Sequence, residues 1–257
     1  MNRASAKRYG YPLVGALFLL LVWHFSVRIF GLPPVVLPTP EQVFDAFLNQ
    51  RMLLLDQGWI TLKECIYGFV LAFVTGVPIA VAIAGSKLLN QAFYPLLIAM
   101  QSVPKIALAP IVLVWFGIGI ESKLVIVWLV AFFPIVVDTS AGLRATPKAY
   151  IELAHSLQSS PLQLFCKFQF PSSLPFILSG SKVAITLAVI GAVIAEFVGS
   201  NQGLGNLLLA ANSQLNTPLA FAALFALAFL GIVLYGVVVL AETLLEPWLP
   251  ADSTSAA

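Results

Sequence analysis

The chain has 257 residues, 60% of them hydrophobic and only 9% charged, with a mean hydropathy of +0.98. Soluble domains average about 45–50% apolar and about 25% charged residues, so this composition excludes an ordinary soluble domain and identifies an integral membrane protein. The net charge of +2 implies no nucleic-acid partner, and two cysteines, Cys65 and Cys166, supply no disulfide framework and read as small apolar thiols.

A membrane-crossing helix needs about 20 mostly apolar residues. The chain opens on Arg3, Lys7 and Arg8, followed by an apolar run with no small-residue cleavage site, which reads as an uncleaved first span at 12–31. His24 within it reads as a packed or interfacial histidine rather than a ligand. In the next loop, Thr39 is placed to cap a helix with Pro40 at its first position, leading into an amphipathic run at 43–48. The second span is expected at 59–85, with Lys63 and Glu64 near its start. The stretch 89–119 is too long for one simple helix. Pro95, Pro104 and Pro110 interrupt it and Lys105 lies inside, so it reads as one broken span. Further spans are expected at 122–142, 176–198 and 218–243, and a polar, disordered tail at 251–257. None of these runs shows the alternation of a membrane β-barrel. The fold class is therefore all-α, a single polytopic domain over 1–257 with about six membrane helices.

Lys and Arg in short loops mark the cytoplasmic side. Arg3, Lys7, Arg8, Lys87, Arg144, Lys148 and Lys167 fall on one side of this arrangement, against mainly Arg51 and Lys123 on the other. Both termini and the 147–175 segment are expected to be cytoplasmic, with Lys182 snorkelling to the interface. That segment reads as two short surface helices. The first opens at Pro147 and breaks at Ser159, Ser160 and Pro161; the second ends at Pro171, and Pro175 then opens the fifth span. Short helices projecting from a membrane domain suit docking on a soluble motor, since lipid-buried segments cannot receive its force.

The order Glu152-Leu153-Ala154-His155-Ser156-Leu157, then Ser159, Phe170-Pro171, Leu174-Pro175 and Gly180, resembles the "EAA" loop of binding-protein-dependent ABC importer permeases. Ser102 to Pro110 leading to Trp115-Phe116-Gly117-Ile118-Gly119, Ala195-Glu196-Phe197-Val198 before Gly203-Leu204-Gly205, and Leu37-Pro38-Thr39-Pro40 resemble the nitrate/sulfonate/taurine branch. The resemblance covers nearly the whole chain. It departs at Leu153, where the family has alanine, and at Gln158, where it has glycine. Glutamine does not easily take a positive φ, so the helix is expected to run on or to turn at Ser159.

The resemblance implies a type I ABC importer permease in the bacterial inner membrane. It implies a second permease copy completing the pore, a cytoplasmic ATPase dimer on the coupling helices, and a periplasmic or lipid-anchored binding protein delivering a small anionic or aromatic solute. Tyr150, Glu152, Ala154, His155, Leu157, Gln158 and Ser159 would couple to the ATPase. The chain has no phosphate-binding loop, so ATP and Mg would be bound by the partner, leaving no catalytic residue or cofactor here. His155 has no Cys or His neighbours at ligand spacing, so no metal site is expected. Gly203 and Gly205 lack the strand and third glycine of a nucleotide fingerprint, and Gly76, Gly85 and Gly191 suit close helix packing.

Charged residues within spans are costly and mark pathways or pairs. Glu196 reads either as a pathway or gating acid near the outer end or as an interfacial or structurally paired acid. Asp138 reads as a solvated interfacial acid or as a gating or pairing group, with Arg144 as one partner. Pro104 and Lys105 mark a helix break that lines a cavity or lies buried in protein. Lys105 there attracts an anion, pairs with an acid or reaches headgroups. An ion-gradient-driven secondary transporter is the alternative, and it would carry buried paired acids at mid-membrane; a non-transporting scaffold for cytoplasmic proteins is a second.

Overall fold

The computed structural model describes residues 3–245. The tail at 251–257 lies outside them, as do the side chains of Arg3, Lys7 and Arg8. The elements are α1 (Arg3–Ile29), α2 (Pro40–Asn49), α3 (Arg51–Gly85), α4 (Lys87–Gln101), a 3-10 turn (Lys105–Leu108), α5 (Ala109–Phe116), α6 (Ile120–Arg144), α7 (Lys148–Ser156), α8 (Pro161–Leu164), a π segment (Phe165–Gln169), α9 (Phe170–Gly199), α10 (Leu204–Ser213) and α11 (Thr217–Leu245). No strand occurs among the described residues.

Helix α6 forms the centre, sandwiched between α3 and α9, with α11 packed outside α9 and α10. The core is built from small and β-branched residues: Cys65, Ala72 and Ala80 of α3, Val127, Ala131 and Ile135 of α6, and Ala184 and Ala188 of α9. Lipid tails are as apolar as these side chains, so close packing rather than hydrophobic transfer holds such helices together, and small residues permit it. A Cβ at Gly76 would sit 3.1 Å from Ile135 Cγ2, and one at Gly191 3.0 Å from Val127 Cα, as expected for packing glycines. Gly68 meets the Val127 side chain more closely still. Gly85 differs from the expectation: it ends α3 and faces open space.

Four helices, Arg51–Gly85, Ile120–Arg144, Pro161–Gly199 and Thr217–Leu245, are long and apolar enough to cross a membrane. The pair Lys87–Gln101 and Lys105–Phe116, bent by 91°, makes five, and α1 contributes a shorter apolar stretch, Val14–Ile29. The broken span is thus present, but the break is confined to 102–104. Pro95 lies inside α4 and Pro110 in the first turn of α5, where a missing N–H costs little.

Two expected boundaries move. Helix α3 starts at Arg51 rather than at 59, and its 35 residues run about 52 Å, well beyond a hydrocarbon core of about 30 Å. The second surface helix does not end at Pro171, nor does Pro175 open a new one, because Pro161–Gly199 is continuous. The π segment explains this: Phe170 N–H bonds back to Phe165 O, and the widened turn just before Pro171 accommodates a proline ring that would strain a regular α-turn.

The loop between α1 and α2 folds as its cap signals require. Thr39 accepts from Gln42 N–H (3.3 Å) and Gln42 Oε1 accepts from Thr39 N–H (3.0 Å), a reciprocal capping box with Pro40 at the helix start. Trp23 Nε1 donates to Pro38 O (3.0 Å), and His24 and Arg28 reach Glu41 at 3.1 and 3.7 Å, tying the loop back to α1. His24 is accordingly a structural partner of α2.

Candidate functional site

The 147–175 segment presents an exposed apolar face. Helix α7 opens after Pro147, and α8 opens on a second capping box between Ser160 and Gln163. Ala154 is buried and Tyr150 lays its ring 6.2 Å from that of Phe168, so one side of α7 rests on the segment's own aromatic residues. The other side is open: Leu157 is 65% and Leu162 72% exposed, beside exposed Tyr150, Leu153, Glu152 and His155. Apolar side chains exposed together on a short helix pair, rimmed by polar groups, are the form of a docking surface.

The turn between the two helices is sharp, and it is made at Gln158 itself. Gln158 has φ +51°, its N–H bonds to His155 O (3.0 Å), and Ser159 N–H bonds to Ala154 O (2.9 Å). This double bond pattern is the Schellman cap normally closed by glycine. The expectation that α7 runs on or turns at Ser159 is therefore corrected. The two hydrogen bonds and the capping box of α8 offset a left-handed conformation that costs a non-glycine residue about 1–2 kcal/mol.

A second constellation lies where α3, α6, α9 and α10 meet. Glu196 is fully buried near the end of α9 and accepts from Thr61 Oγ1 (2.7 Å) and Gly205 N–H (2.5 Å). Thr61 Oγ1 also accepts from Leu204 N–H (2.9 Å), and Gln57 Oε1 from Gly203 N–H (2.6 Å). Glu196 thus sits on the N-terminal amides of α10, where the helix dipole favours an anion. Its fit explains the glycines. Gly203 has φ +105°, and a Cβ there or at Gly205 would collide with the Glu196 carboxyl group. Glu64, 1% exposed, pairs with buried Lys123 at 2.7 Å. Glu64 Oε1 has a charged partner and Glu196 two neutral donors, while Glu64 Oε2 has no hydrogen-bond partner among the described residues. Beside them opens a cavity of about 600 Å³, lined among others by Lys63, Glu64, Tyr67, Lys123, Asn201 and Gln202.

The broken span holds Lys105, half-buried, with Nζ 5.3 Å from the centroid of the Phe133 ring and 3.4 Å from Gln101 O. It pairs with no acid among the described residues. Pro104, with ψ 94°, makes the break and precedes the 3-10 turn. Asp138 does not pair with Arg144. The Arg144 guanidinium stacks 3.9 Å over Tyr94 and donates to Asn90 Oδ1 (3.4 Å), fastening α4 to the C-terminal end of α6. Asp138 instead packs where a Cβ on Gly180 would come within 2.8 Å of its own Cβ. Lys182 pairs with Glu242 of α11 at 2.8 Å.

The candidate residues at 150–159 lie together on α7 and the turn that closes it. Glu196 joins Thr61, Gln57, Gly203 and Gly205, far from Asp138 and Lys105 in sequence and in separate contacts. Lys123, read as a loop lysine, is a buried ion-pair member. The available signal was its position three residues into an apolar helix together with Glu64 in another, since opposite intramembrane charges pair.

Residues 72–249 match the family described as "Binding-protein-dependent transport system inner membrane component". The chain is 37% identical over 238 residues to the formylaminopyrimidine transport permease protein ThiX of Halalkalibacterium halodurans, covering 92% of this chain and 95% of that one. It is 30% identical over 253 residues to the putative aliphatic sulfonates transport permease protein SsuC of Bacillus subtilis, covering 96% and 91%. An amino acid ABC transporter crystallised with histidines shares the fold, with a TM-score of 0.63 at 15% identity over 80% of this chain and 98% of that one. With all-helical architecture and motifs in agreement, the chain belongs to the binding-protein-dependent ABC transport permeases, on the branch that includes the sulfonate and taurine importers.

Proposed function

We propose that this membrane permease subunit, acting with a second copy of itself, transmits ATP-driven closure of a cytoplasmic ATPase dimer through α7 and α8 to a solute pathway beside α4, α5 and α6. The chain is a permease subunit of an ABC importer for small solutes. The observation that carries the coupling assignment is the exposed face of Tyr150, Leu153, Leu157 and Leu162 on a rigidly capped helix pair continuous with α9. A docked helix that continues into a membrane span moves that span as a rigid body, and each state is favoured by a differential contact at the docking face.

Pairing with a second copy is supported by α4, none of whose residues is buried, and by Val114, Trp115 and Ile118 exposed on and after α5. In this reading α1 is a sixth span, both termini are cytoplasmic, ATP and Mg are bound by the partner, and Pro104, Lys105 and Asp138 line the inner pathway. The cavity beside Lys63, Glu64 and Gln202 is its outer vestibule, facing a periplasmic or lipid-anchored binding protein. The buried acids Glu64 and Glu196 are what an ion-gradient transporter would carry; Glu196 is hydrogen-bonded through both oxygens and Glu64 Oε1 is paired with Lys123, while Glu64 Oε2 has no partner among the described residues.

The test is substrate-stimulated ATP hydrolysis in proteoliposomes containing the permease, its ATPase and its binding protein. Glu152→Lys with Leu157→Ser is expected to abolish stimulation while membrane insertion and thermal stability stay unchanged. Full stimulation in that double variant overturns the coupling assignment.

A further inference from the structure

We propose that the groove between α3 and α11 is a specific site for a membrane phospholipid with an anionic headgroup. The groove has a volume of about 380 Å³ and is walled by Leu54, Leu55, Gly58 and Leu62 of α3 and by Phe229 and Val233 of α11. Its wall is apolar except at one end, where Arg51 stands at the first turn of α3. Among the described residues Arg51 makes no ion pair, and the acids nearest in sequence, Asp45 and Asp56, do not engage it. From Arg51 to Leu62 the helix rises about 16 Å, close to the depth of one leaflet, about half of a 30 Å hydrocarbon core. One cation at the mouth of an apolar slot one leaflet deep is complementary to a phosphate with an acyl chain hanging below it.

Gly58 sets the floor of the slot. A Cβ there meets only Leu204 Cδ1, at 3.7 Å, an ordinary van der Waals contact, so a side chain at residue 58 would occupy space that is now open groove. A phospholipid rather than a protein helix is the occupant because the slot is narrow, carries one charge at its interfacial end and offers no polar group along its length.

The experiment is native mass spectrometry of the full chain released from nanodiscs of equal phosphatidylglycerol and phosphatidylcholine. The wild type is expected to retain phosphatidylglycerol preferentially. Arg51→Gln lowers that preference about fivefold, the factor for roughly 1 kcal/mol per basic residue near a headgroup, and Arg51→Lys preserves it. Gly58→Leu lowers retention of both lipids. An unchanged lipid complement in Gly58→Leu, or an unchanged headgroup ratio in Arg51→Gln, overturns the proposal. So does loss of the dimer in Gly58→Leu with lipid retained, which assigns the groove to a second copy. Arg51 is exposed, so its variants fold even if Gly58→Leu does not. Retention is read without ATP, so this proposal and the coupling assignment fail separately.

Discussion

The buried charge cluster around Glu64 and Glu196 and the 147–175 segment are built on opposite principles. Around Glu64 and Glu196 both acids are buried and each is held by groups from other helices, so α3, α6, α9 and α10 are joined at one place. Around Tyr150 to Leu162 the apolar side chains are exposed, and order comes from local devices: two caps, one left-handed residue and one buried alanine. The first region stabilises the fold and tolerates little change. The second is held in shape by local contacts within the segment and leaves Leu153, Leu157 and Leu162 exposed.

That contrast can be broken in several ways. Lys123→Met strands a buried carboxylate and is expected to cost about 3–5 kcal/mol, read as loss of monodisperse protein or a large fall in Tm. Adding Glu64→Leu should recover most of it, and no recovery would mean Lys123 acts otherwise than through Glu64. Gly203→Ala, forced into a positive φ against the Glu196 carboxyl group, is expected to cost about 2–3 kcal/mol in the same assay. At the proposed coupling segment the sign reverses: Gln158→Gly relieves the left-handed turn and should stabilise by about 1 kcal/mol, visible as slower proteolysis of the 147–175 segment. Glu152→Lys should change stability by less than about 0.5 kcal/mol while removing coupled hydrolysis. An unfolding effect comparable to that of Lys123→Met would erase the distinction.

The smallest effect is at the loop between α1 and α2. The Thr39 hydroxyl, the backbone amide of Glu41 and then His24 and Arg28 hold the Glu41 carboxyl below its ordinary 4.5. A carboxyl depressed in the fold contributes stability above its unfolded pKa and loses it as pH falls through the folded value. The thermal stabilities of wild type and Glu41→Gln should therefore differ slightly at neutral pH and converge on acidification below about 4.5. Divergence instead would place the contact elsewhere.

Much of this was legible in the chain itself. Apolar runs give membrane helices because backbone groups in lipid must be satisfied within one segment. The caps at Thr39 and Pro147 and the break at Pro104 are equally local, set by a hydroxyl, a missing N–H or a fixed φ. The motif at 152–159 picked out the proposed coupling segment because its exposed apolar residues lie in one continuous stretch. Tertiary structure alone decided the pairings: Lys123 with Glu64, Lys182 with Glu242, Arg144 with Tyr94 rather than Asp138. It also decided that Gln158 turns left-handed and that Pro171 continues a helix. Those outcomes depend on which side chains distant in sequence arrive at the same place, and on whether neighbouring bonds offset a local strain. Local propensity has no term for either.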